Sequence, residues 1–263
     1  RVRELTHGSV GANIALIMNR DPATVDLLVA NNIRFVTTSA GDPSLFTERL
    51  HDAGITVFHV VGTLAAARKA VDAGVDGLVV EGVEGGGFKN RFGASTMVLL
   101  PLVAAHVDVP IVAAGGICDA RSMAAAFVLG AEGVQMGTRL LASADSPVHG
   151  NLKQAVIAAD ETSTVLLPLD GKRMMRVIRT PASEKLDTAT SSEEGAAALQ
   201  RVQRLYFAGD MDASVANTGQ VAGRIDDIPP AADIIKQMWT GCREVLAATA
   251  HRLGPVEPSL GGS

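Results

Sequence analysis

The chain has 263 residues, of which 47% are hydrophobic and 19% charged, and its mean hydropathy is +0.24. This composition argues against disorder, and no apolar run approaches the roughly eighteen residues of a membrane span. The net charge of −5, with no cluster of Lys and Arg, argues against nucleic acid or anionic lipid as a partner. Cys118 and Cys242 lack the spacing of metal ligands, so we expect no metal site and a cytoplasmic location.

Six short runs rich in β-branched residues are centred near Ile14, Val36, Phe58, Val79, Val112 and Gln135. Most are followed by an alanine-rich amphipathic stretch, as at residues 64–70 and 123–129. Because a strand, a loop and a helix together occupy about 22 residues, the usual spacing of these runs, the pattern predicts repeated βα units. Right-handed crossovers leave an open doubly wound sheet or a closed barrel, and the repeat favours an α/β barrel of the TIM type.

The pattern divides the chain into a barrel domain over residues 1–180, a helical lid over residues 181–253 and a frayed tail over residues 254–263. Helices are predicted at residues 193–207 and from Pro230 to about Arg252. Residues 163–169 and 174–178 offer a short strand pair outside the barrel. We therefore expect the last 80 or so residues to cover the barrel mouth.

Two neighbouring strands are followed by small residues. Gly115 and Gly116 follow the run near Val112, and residues 135–138 follow the next strand. Glycine lets backbone N–H groups close on an anion, and the last two strands of such barrels often form a phosphate site. The alternative is that these glycines only make tight βα turns. Two adjacent turns of this composition favour the phosphate site.

A second glycine cluster, at residues 85–87, follows Glu81 at the end of the fourth run. Ordering three consecutive glycines costs backbone entropy, so we expect a planar or anionic group against them, with a flexible loop as the alternative. Asn13 lies inside an apolar run, where a satisfied core amide and a ligand contact are equally good interpretations. His59 either faces the barrel mouth or is a satisfied strand histidine, and the second is the better interpretation.

Four motifs resemble the nitronate monooxygenase family, also known as 2-nitropropane dioxygenases and related to the flavin-containing enoyl-acyl-carrier-protein reductases. They are AAGGI at residues 113–117, GAEGVQMGTR at residues 130–139, EGGG at residues 84–87 and SAGDP at residues 39–43. The resemblance is dense up to about residue 179 and returns at residues 219–235. It implies an FMN-dependent TIM-barrel oxidoreductase with a helical lid.

The resemblance also implies roles for individual residues. Asn13 would hydrogen-bond the isoalloxazine ring, Glu81 stands where the family has Gln, and Gly86 would lie beside the ring or the ribityl chain. Phe88 and Gln220 would contact the substrate. The phosphate would be held by Gly116, Gln135, Met136, Gly137 and Thr138, through backbone N–H groups and the Thr138 hydroxyl, and Gly115 would also contact the cofactor.

Two departures from the family pattern stand out. The family places a histidine after the glycines, and here that position is Phe88. A proton transfer worth about 10²- to 10⁴-fold must then come from elsewhere or is not needed. Lys89 is the nearest replacement, as an acid, a base or an anion clamp, with a simply solvated lysine as the alternative.

The second departure is at the start, where the first two βα units of the family have no counterpart before Arg1. We expect either an N-terminal part of about 60 to 70 residues outside this sequence or a partner that supplies the missing strands.

Three functions are compatible with this sequence. The first is an FMN-dependent exchange of hydride with a conjugated acyl thioester, of CoA or a carrier protein, which an apolar Phe88 favours. The second is a nitronate monooxygenase that oxidises alkyl nitronates with dioxygen, and the third is a flavin-binding protein without turnover. NAD or NADP as electron partner and formation of a homo-oligomer both stay open.

Overall fold

A computed structural model describes residues 4, 6–169, 173–187 and 201–254. Its strands are β1 (Gly11–Ala15), β2 (Phe35–Ser39), β3 (Thr56–Val61), β4 (Gly77–Glu81), β5 (Gly87–Asn90), β6 (Ile111–Ala114), β7 (Gly133–Gln135), β8 (Thr164–Pro168) and β9 (Arg173–Ile178). Its α-helices are α1 (Ala23–Ala30), α2 (Thr47–Asp52), α3 (Leu64–Asp72), α4 (Thr96–Ala104), α5 (Ala120–Val128), α6 (Thr138–Leu141), α7 (Gly150–Ile157), α8 (Pro181–Asp187), α9 (Val202–Ala208) and α10 (Ala231–Leu253). Two 3-10 turns cover Pro43–Leu45 and Gln220–Arg224.

Six strands form one curled parallel sheet in the order β1-β2-β3-β4-β6-β7. Each of the six predicted strand centres lies within one of them, so the predicted α/β architecture with repeated βα units is confirmed. Strand pairing is in register along the sheet, with Asn13 opposite Thr37 and Val80 opposite Ala113. The carboxyl ends of all six strands therefore meet at one edge, where ligands bind in such folds.

Aliphatic residues fill the layer between the sheet and its helices. Val36, Val57 and Leu78 point outward from the strands and are fully buried against helix residues such as Ala67 and Leu100. Small and branched side chains suit this layer because strands covered on both faces take up nearly continuous apolar runs. The core thus accounts for the low aromatic content of the sequence.

The inner, concave face of the sheet holds two aromatic rings. Phe35 and Phe58 lie with ring centroids 5.1 Å apart. Gly77 makes room for them, since a Cβ atom at this position would lie 2.3 Å from the Phe58 ring. A cavity of about 550 Å³ runs from this face to α10, between strand residues such as Val112 and the helix residue Met238.

A second sheet of three strands has the order β5-β9-β8 and is antiparallel. The β8–β9 pair matches the predicted strand pair. Strand β5 was not predicted, because Gly87–Asn90 combines glycine with polar residues and its partner β9 is more than 80 residues away. This sheet stands beside the carboxyl ends of the parallel strands and forms a wall there.

The C-terminal helix α10 matches the predicted helix after Pro230. It packs beside α5, where Phe127 and Trp239 meet edge to face with ring centroids 6.4 Å apart, and its Ile234 belongs to the main core. The prediction of a helical lid is not confirmed for this element. Of the helix predicted over residues 193–207, residues 193–200 lie outside the described residues, as does the predicted tail beyond Gly254.

The described residues contain neither a membrane-spanning helix nor a metal-binding group of side chains. No helix in those parts of the chain combines the length and apolar character that crossing a membrane requires. No group of three or more His, Cys, Asp or Glu side chains in the same residues could hold a metal ion.

Candidate functional site

Two adjoining cavities open at the carboxyl ends of the parallel strands. The larger has a volume of about 690 Å³ and the smaller about 290 Å³. Four residues line both cavities: Glu81, Gly86, Gln135 and Gly137. A ligand with a bulky part and a small polar end would therefore fit across the two cavities.

The smaller cavity is built around the turn after β6. Gly115 and Gly116 have φ angles of +81° and +79°, a conformation that glycine adopts without strain. A Cβ atom on Gly115 would lie 2.9 Å from the carbonyl oxygen of Gly82. These two glycines are therefore required by the backbone and by close packing against the glycine-rich loop, in addition to any ligand.

The turn after β7 completes this cavity. A Cβ atom on Gly137 would meet no protein atom within 4 Å, so the space beside it is open to a ligand. The Thr138 side chain is buried, and its hydroxyl oxygen accepts a hydrogen bond from the Gly219 N–H at 2.8 Å. A hydroxyl that accepts one bond still has its own proton to donate, which suits an anionic oxygen in the cavity.

The glycine-rich loop after β4 is held by the chain itself. A Cβ atom on Gly86 would lie 2.8 Å from the Thr218 backbone nitrogen, and one on Gly85 would lie 2.3 Å from the Glu81 carboxylate. The backbone near Thr218 and the Glu81 side chain therefore already occupy the space on the Cβ side of Gly86 and Gly85, so close packing within the protein also accounts for these two glycines. Gly86 still lines both cavities.

A hydrogen-bond network that the sequence analysis missed joins this loop to the turn after β6. Both carboxylate oxygens of Glu84 accept from the Thr96 N–H, at 2.9 and 3.0 Å, at the first turn of α4. The Thr96 hydroxyl donates to the Gly115 carbonyl at 2.8 Å. A carboxylate at a helix N-terminus is favoured by the helix dipole. Glu84, the acidic residue beside the three glycines, was therefore the feature of the sequence that could have predicted this contact.

Glu81 and Lys89 form a buried ion pair at the junction of the two cavities. Lys89 Nζ lies 2.8 Å from Glu81 Oε1, and the two side chains are 4% and 22% exposed. The same ammonium donates to the carbonyls of Gly86 at 2.9 Å and Phe88 at 3.0 Å. Burial raises the pKa of Glu81 above its usual value, and the Lys89 charge opposes that rise. The alternative of a solvated Lys89 is therefore wrong.

One wall of the larger cavity is the antiparallel sheet. Phe88 is half-buried there and packs against a small apolar cluster that includes Met175 and Val177. Arg173 lines the cavity from the first position of β9, opposite Asn90. The wall is thus apolar next to Phe88 and positively charged toward its rim.

Asn13 lines the opposite side of the larger cavity. It is exposed, and its side-chain oxygen accepts a hydrogen bond from the Thr37 hydroxyl at 2.9 Å, so the interpretation as a core amide was wrong. His59 is buried, and its Nδ1 lies 2.7 Å from the Thr38 hydroxyl. Burial lowers the pKa of His59 from 6.5 to about 4. The residue also lines the larger cavity, so it is both bonded within the strands and placed at the barrel mouth.

The remaining predicted site residues divide into two groups. Gln135 is the last residue of β7, Met136 follows it, and both line the larger cavity beside Gly137. Gln220 lines neither cavity. Its side chain is exposed, and its backbone N–H donates to the Glu84 carbonyl at 2.9 Å. The structure therefore brings together every predicted cofactor residue, and of the two predicted substrate residues only Phe88.

Known proteins share this arrangement. The sequence model of the nitronate monooxygenase family matches residues 3–241, which is most of the chain. The protein belongs to this family. FabK from Thermotoga maritima has 34% sequence identity and a TM-score of 0.89, over 94% of this chain and 80% of that protein. The family resemblance and the barrel-like fold expected from the sequence are thereby confirmed.

Two curated relatives carry more specific names. A Mycobacterium tuberculosis protein named (3aS,4S,5R,7aS)-5-hydroxy-7a-methyl-1-oxo-octahydro-1H-indene-4-carboxyl-CoA dehydrogenase is 29% identical over 95% of this chain and 81% of its own length. A Staphylococcus aureus protein named as a probable nitronate monooxygenase is 33% identical over 62% of this chain and 48% of its own length. These names all describe oxidoreductases, and this protein is an oxidoreductase of the same family.

The residues of the two cavities fit a flavin, the cofactor that membership of this family implies. The smaller cavity offers the open space beside Gly137 and the Thr138 proton, which suit a phosphate group. The larger cavity is wide enough for a ring system and has polar groups on Asn13 and Glu81 at its edge. The two cavities meet, as a continuous ligand with a ring and a phosphate requires.

Proposed function

We propose that the protein is an FMN-dependent oxidoreductase that exchanges hydride with an acyl-CoA thioester. The observation that carries this proposal is the position of Phe88, which places an aromatic side chain in the wall of the larger cavity where the family has histidine. An apolar wall favours a bulky hydrophobic acyl group over a small, charged nitronate. The CoA dehydrogenase that matches 95% of this chain supports the same substrate class.

In this proposal the phosphate of FMN lies in the smaller cavity, held by backbone N–H groups of Gly116 and Gly137 and by the Thr138 hydroxyl. Asn13, Glu81 and Gly86 lie beside the flavin ring or its ribityl chain, with Gln135 and Met136 along the same side. When bound, FMN supplies a two-electron centre that accepts or donates hydride at a carbon conjugated to the thioester carbonyl.

The protein must also move a proton and polarise the thioester carbonyl. Lys89 is the candidate catalytic residue, because it is the cation next to Phe88 in the cavity wall. Its ammonium already bonds Glu81 and two backbone carbonyls, so a substrate oxygen would take the place of one of those carbonyls. Glu81 would hold the Lys89 ammonium in place in the cavity wall through their ion pair.

Anaerobic reduction and oxidation of the bound flavin test this function. The FMN-loaded protein is mixed without oxygen with a series of saturated and α,β-unsaturated acyl thioesters of increasing size, as CoA and as pantetheine esters. The proposal expects thioester-dependent bleaching of the visible flavin band, or its return after reduction. A flavoprotein that responds to no thioester in either direction would contradict the proposal and favour flavin binding without turnover.

A nitronate monooxygenase is the second candidate, and the family match and the Staphylococcus aureus relative favour it. Oxygen consumption that depends on alkyl nitronates, together with no response to thioesters, would select this function. NADH and NADPH are each added in the same anaerobic assay. Whichever of them reduces the flavin is the electron partner, which the proposal leaves open.

A further inference from the structure

An exposed aromatic residue stands at the rim of the larger cavity. The Phe92 side chain is 84% exposed, in the turn between β5 and α4. The turn is fixed by Asn90, whose side-chain oxygen accepts from the Phe92 N–H at 2.8 Å and whose carbonyl accepts from the Gly93 N–H at 3.1 Å. Asn90 and Gly93 both line the cavity, so the turn that carries Phe92 lies at its rim. The exposed ring offers a face on which a planar group can stack.

Positive charge is concentrated at the same rim. The guanidinium of Arg91 lies 5.9 Å from the centre of the Phe92 ring, and Arg173 lines the cavity opposite Asn90. Residues 85–107 and 171–183 contain no Asp or Glu, although the whole chain has a net charge of −5. Arg91 and Arg173 therefore place two guanidinium groups at the rim, which suits an anionic part of a ligand.

We propose that Arg91, Phe92 and Arg173 form a subsite for the adenosine diphosphate part of a nucleotide-bearing substrate. The adenine would stack on the Phe92 ring, and the phosphates would lie beside the two guanidinium groups. The chemistry is shared by CoA and by NADH or NADPH. If the nucleotide belongs to CoA, this inference rests on the proposed thioester function.

The geometry favours CoA. Three residues separate Phe88, at the proposed acyl end, from Phe92, so the four steps between their Cα atoms span at most about 14 Å. An extended pantetheine arm spans a gap of this order between its thioester and its nucleotide. The acyl group could then lie against Phe88 while the adenine lies on Phe92.

Ligand binding to the FMN-loaded protein tests the subsite. Dissociation constants for CoA, pantetheine, NADH and NADPH are measured by calorimetry for the wild type and for Phe92→Ala and Arg173→Ala. Loss of a stacked base should weaken CoA binding roughly 5- to 100-fold in Phe92→Ala and leave pantetheine unchanged. In Arg173→Ala, CoA binding should be weaker and should depend less steeply on salt concentration.

Matched controls lie outside the cavity. Phe207→Ala removes another exposed phenyl ring, on α9, and Arg243→Ala removes an exposed guanidinium from α10. Both should bind CoA as the wild type does. If Phe92→Ala weakens NADH or NADPH and spares CoA, the subsite stands and its bearer is the nicotinamide nucleotide.

Equal dissociation constants in wild type and both rim variants, or no binding of any of the three nucleotides, would overturn the subsite. That result would leave the proposed function standing, because pantetheine thioesters lack the nucleotide and would still change the flavin spectrum. The opposite result is CoA binding that depends on Phe92 in a protein whose flavin responds to no thioester. That result would support the subsite and contradict the proposed function.

Discussion

Lys89 Nζ lies 2.8 Å from Glu81 Oε1 and also donates to two backbone carbonyls, so each of its three protons has an acceptor. The pair links the end of β4 to β5 across the glycine-rich loop. A carboxylate in place of the glutamine of the family would be costly at this depth without a cation beside it. Glu81 and Lys89 are therefore best understood as one unit.

The first prediction concerns this pair. Lys89→Met leaves a buried carboxylate without its cation, so we expect the free energy of unfolding to fall by about 3 kcal/mol, near the lower end for a broken buried pair because Glu81 keeps some contact with solvent. Urea unfolding of the FMN-free protein measures this change. Thioester turnover should fall as well, and unchanged kinetics with a responsive thioester would remove Lys89 from the catalytic role.

The double variant Glu81→Gln/Lys89→Met is the control for this experiment. It removes both charges, so it should recover most of the stability that Lys89→Met loses. If the double variant is as unstable as the single one, Lys89 stabilises the protein through its carbonyl bonds and not through Glu81.

How much of the fold and of the candidate site could be predicted depends on how far apart in the sequence the interacting residues lie. Val36, Val79 and Val112 lie in buried parallel strands, whose apolar runs are visible in the sequence itself. The same holds for Gly115 and Gly116, because short strand-to-helix turns leave a local pattern. These parts of the fold and of the smaller cavity were predictable.

Contacts between distant segments were not predictable in the same way. The Glu81–Lys89 pair forms only because β5 turns back beside β4 and pairs with β9. The space beside Gly86 is filled by Thr218, more than 130 residues later. Gln220 matched a family motif, yet its side chain is exposed, and only its backbone takes part in the loop. Sequence motifs predicted which loops meet, but not which side chains face the cavity.

The second prediction separates folding from cofactor binding at Gly137. Gly137→Ala adds a methyl group into space that holds no protein atom within 4 Å, and the residue does not need a positive φ. The FMN-free protein should therefore keep its stability within about 1 kcal/mol, while FMN binds at least about 10-fold more weakly. Unfolding in urea and titration with FMN, followed by flavin fluorescence, measure the two effects.

Gly150→Ala is the matched control for that substitution. It also adds a methyl group to open space, at the first position of α7, which lines neither cavity. We expect no change in FMN affinity. If Gly137→Ala also binds FMN like the wild type, the open space beside Gly137 does not hold the phosphate.

The third prediction concerns the Thr138 hydroxyl. Thr138→Val keeps the shape of the side chain but leaves the Gly219 N–H without its acceptor, which should cost about 1 to 3 kcal/mol of unfolding free energy. FMN affinity should fall too, because the hydroxyl proton is lost from the smaller cavity. Thr138→Ser retains the hydroxyl and should restore both properties; a serine variant as defective as the valine variant would point to the lost methyl group.

The fourth prediction is a pH dependence of stability that comes from His59. Burial holds its folded-state pKa at about 4, below the unfolded value of 6.5, so the unfolded chain binds the proton first as pH falls. The contribution of neutral His59 is complete above pH 6.5 and is lost toward pH 4, by about 1.4 kcal/mol per pH unit and about 3 kcal/mol in total.

Urea midpoints measured between pH 7 and pH 4.5 test this dependence. His59→Asn keeps a polar partner for the Thr38 hydroxyl without a titrating ring, so its stability should fall less steeply over this range. His106→Asn replaces an exposed histidine and should retain the wild-type slope. Equal slopes for all three proteins would mean that His59 does not set the acid sensitivity.

The last prediction tests what Phe88 does to the choice of substrate. Phe88→His restores the imidazole of the family at a half-buried position in the cavity wall, next to the Lys89 ammonium. If the missing proton-transfer group limits nitronate oxidation, this variant should consume oxygen with alkyl nitronates about 10²-fold faster than the wild type, and respond more weakly to bulky acyl thioesters. Phe88→Leu, which keeps the wall apolar, should favour thioesters as the wild type does. Rapid nitronate oxidation by the wild type, unaffected by either substitution, would show that Phe88 does not determine the substrate.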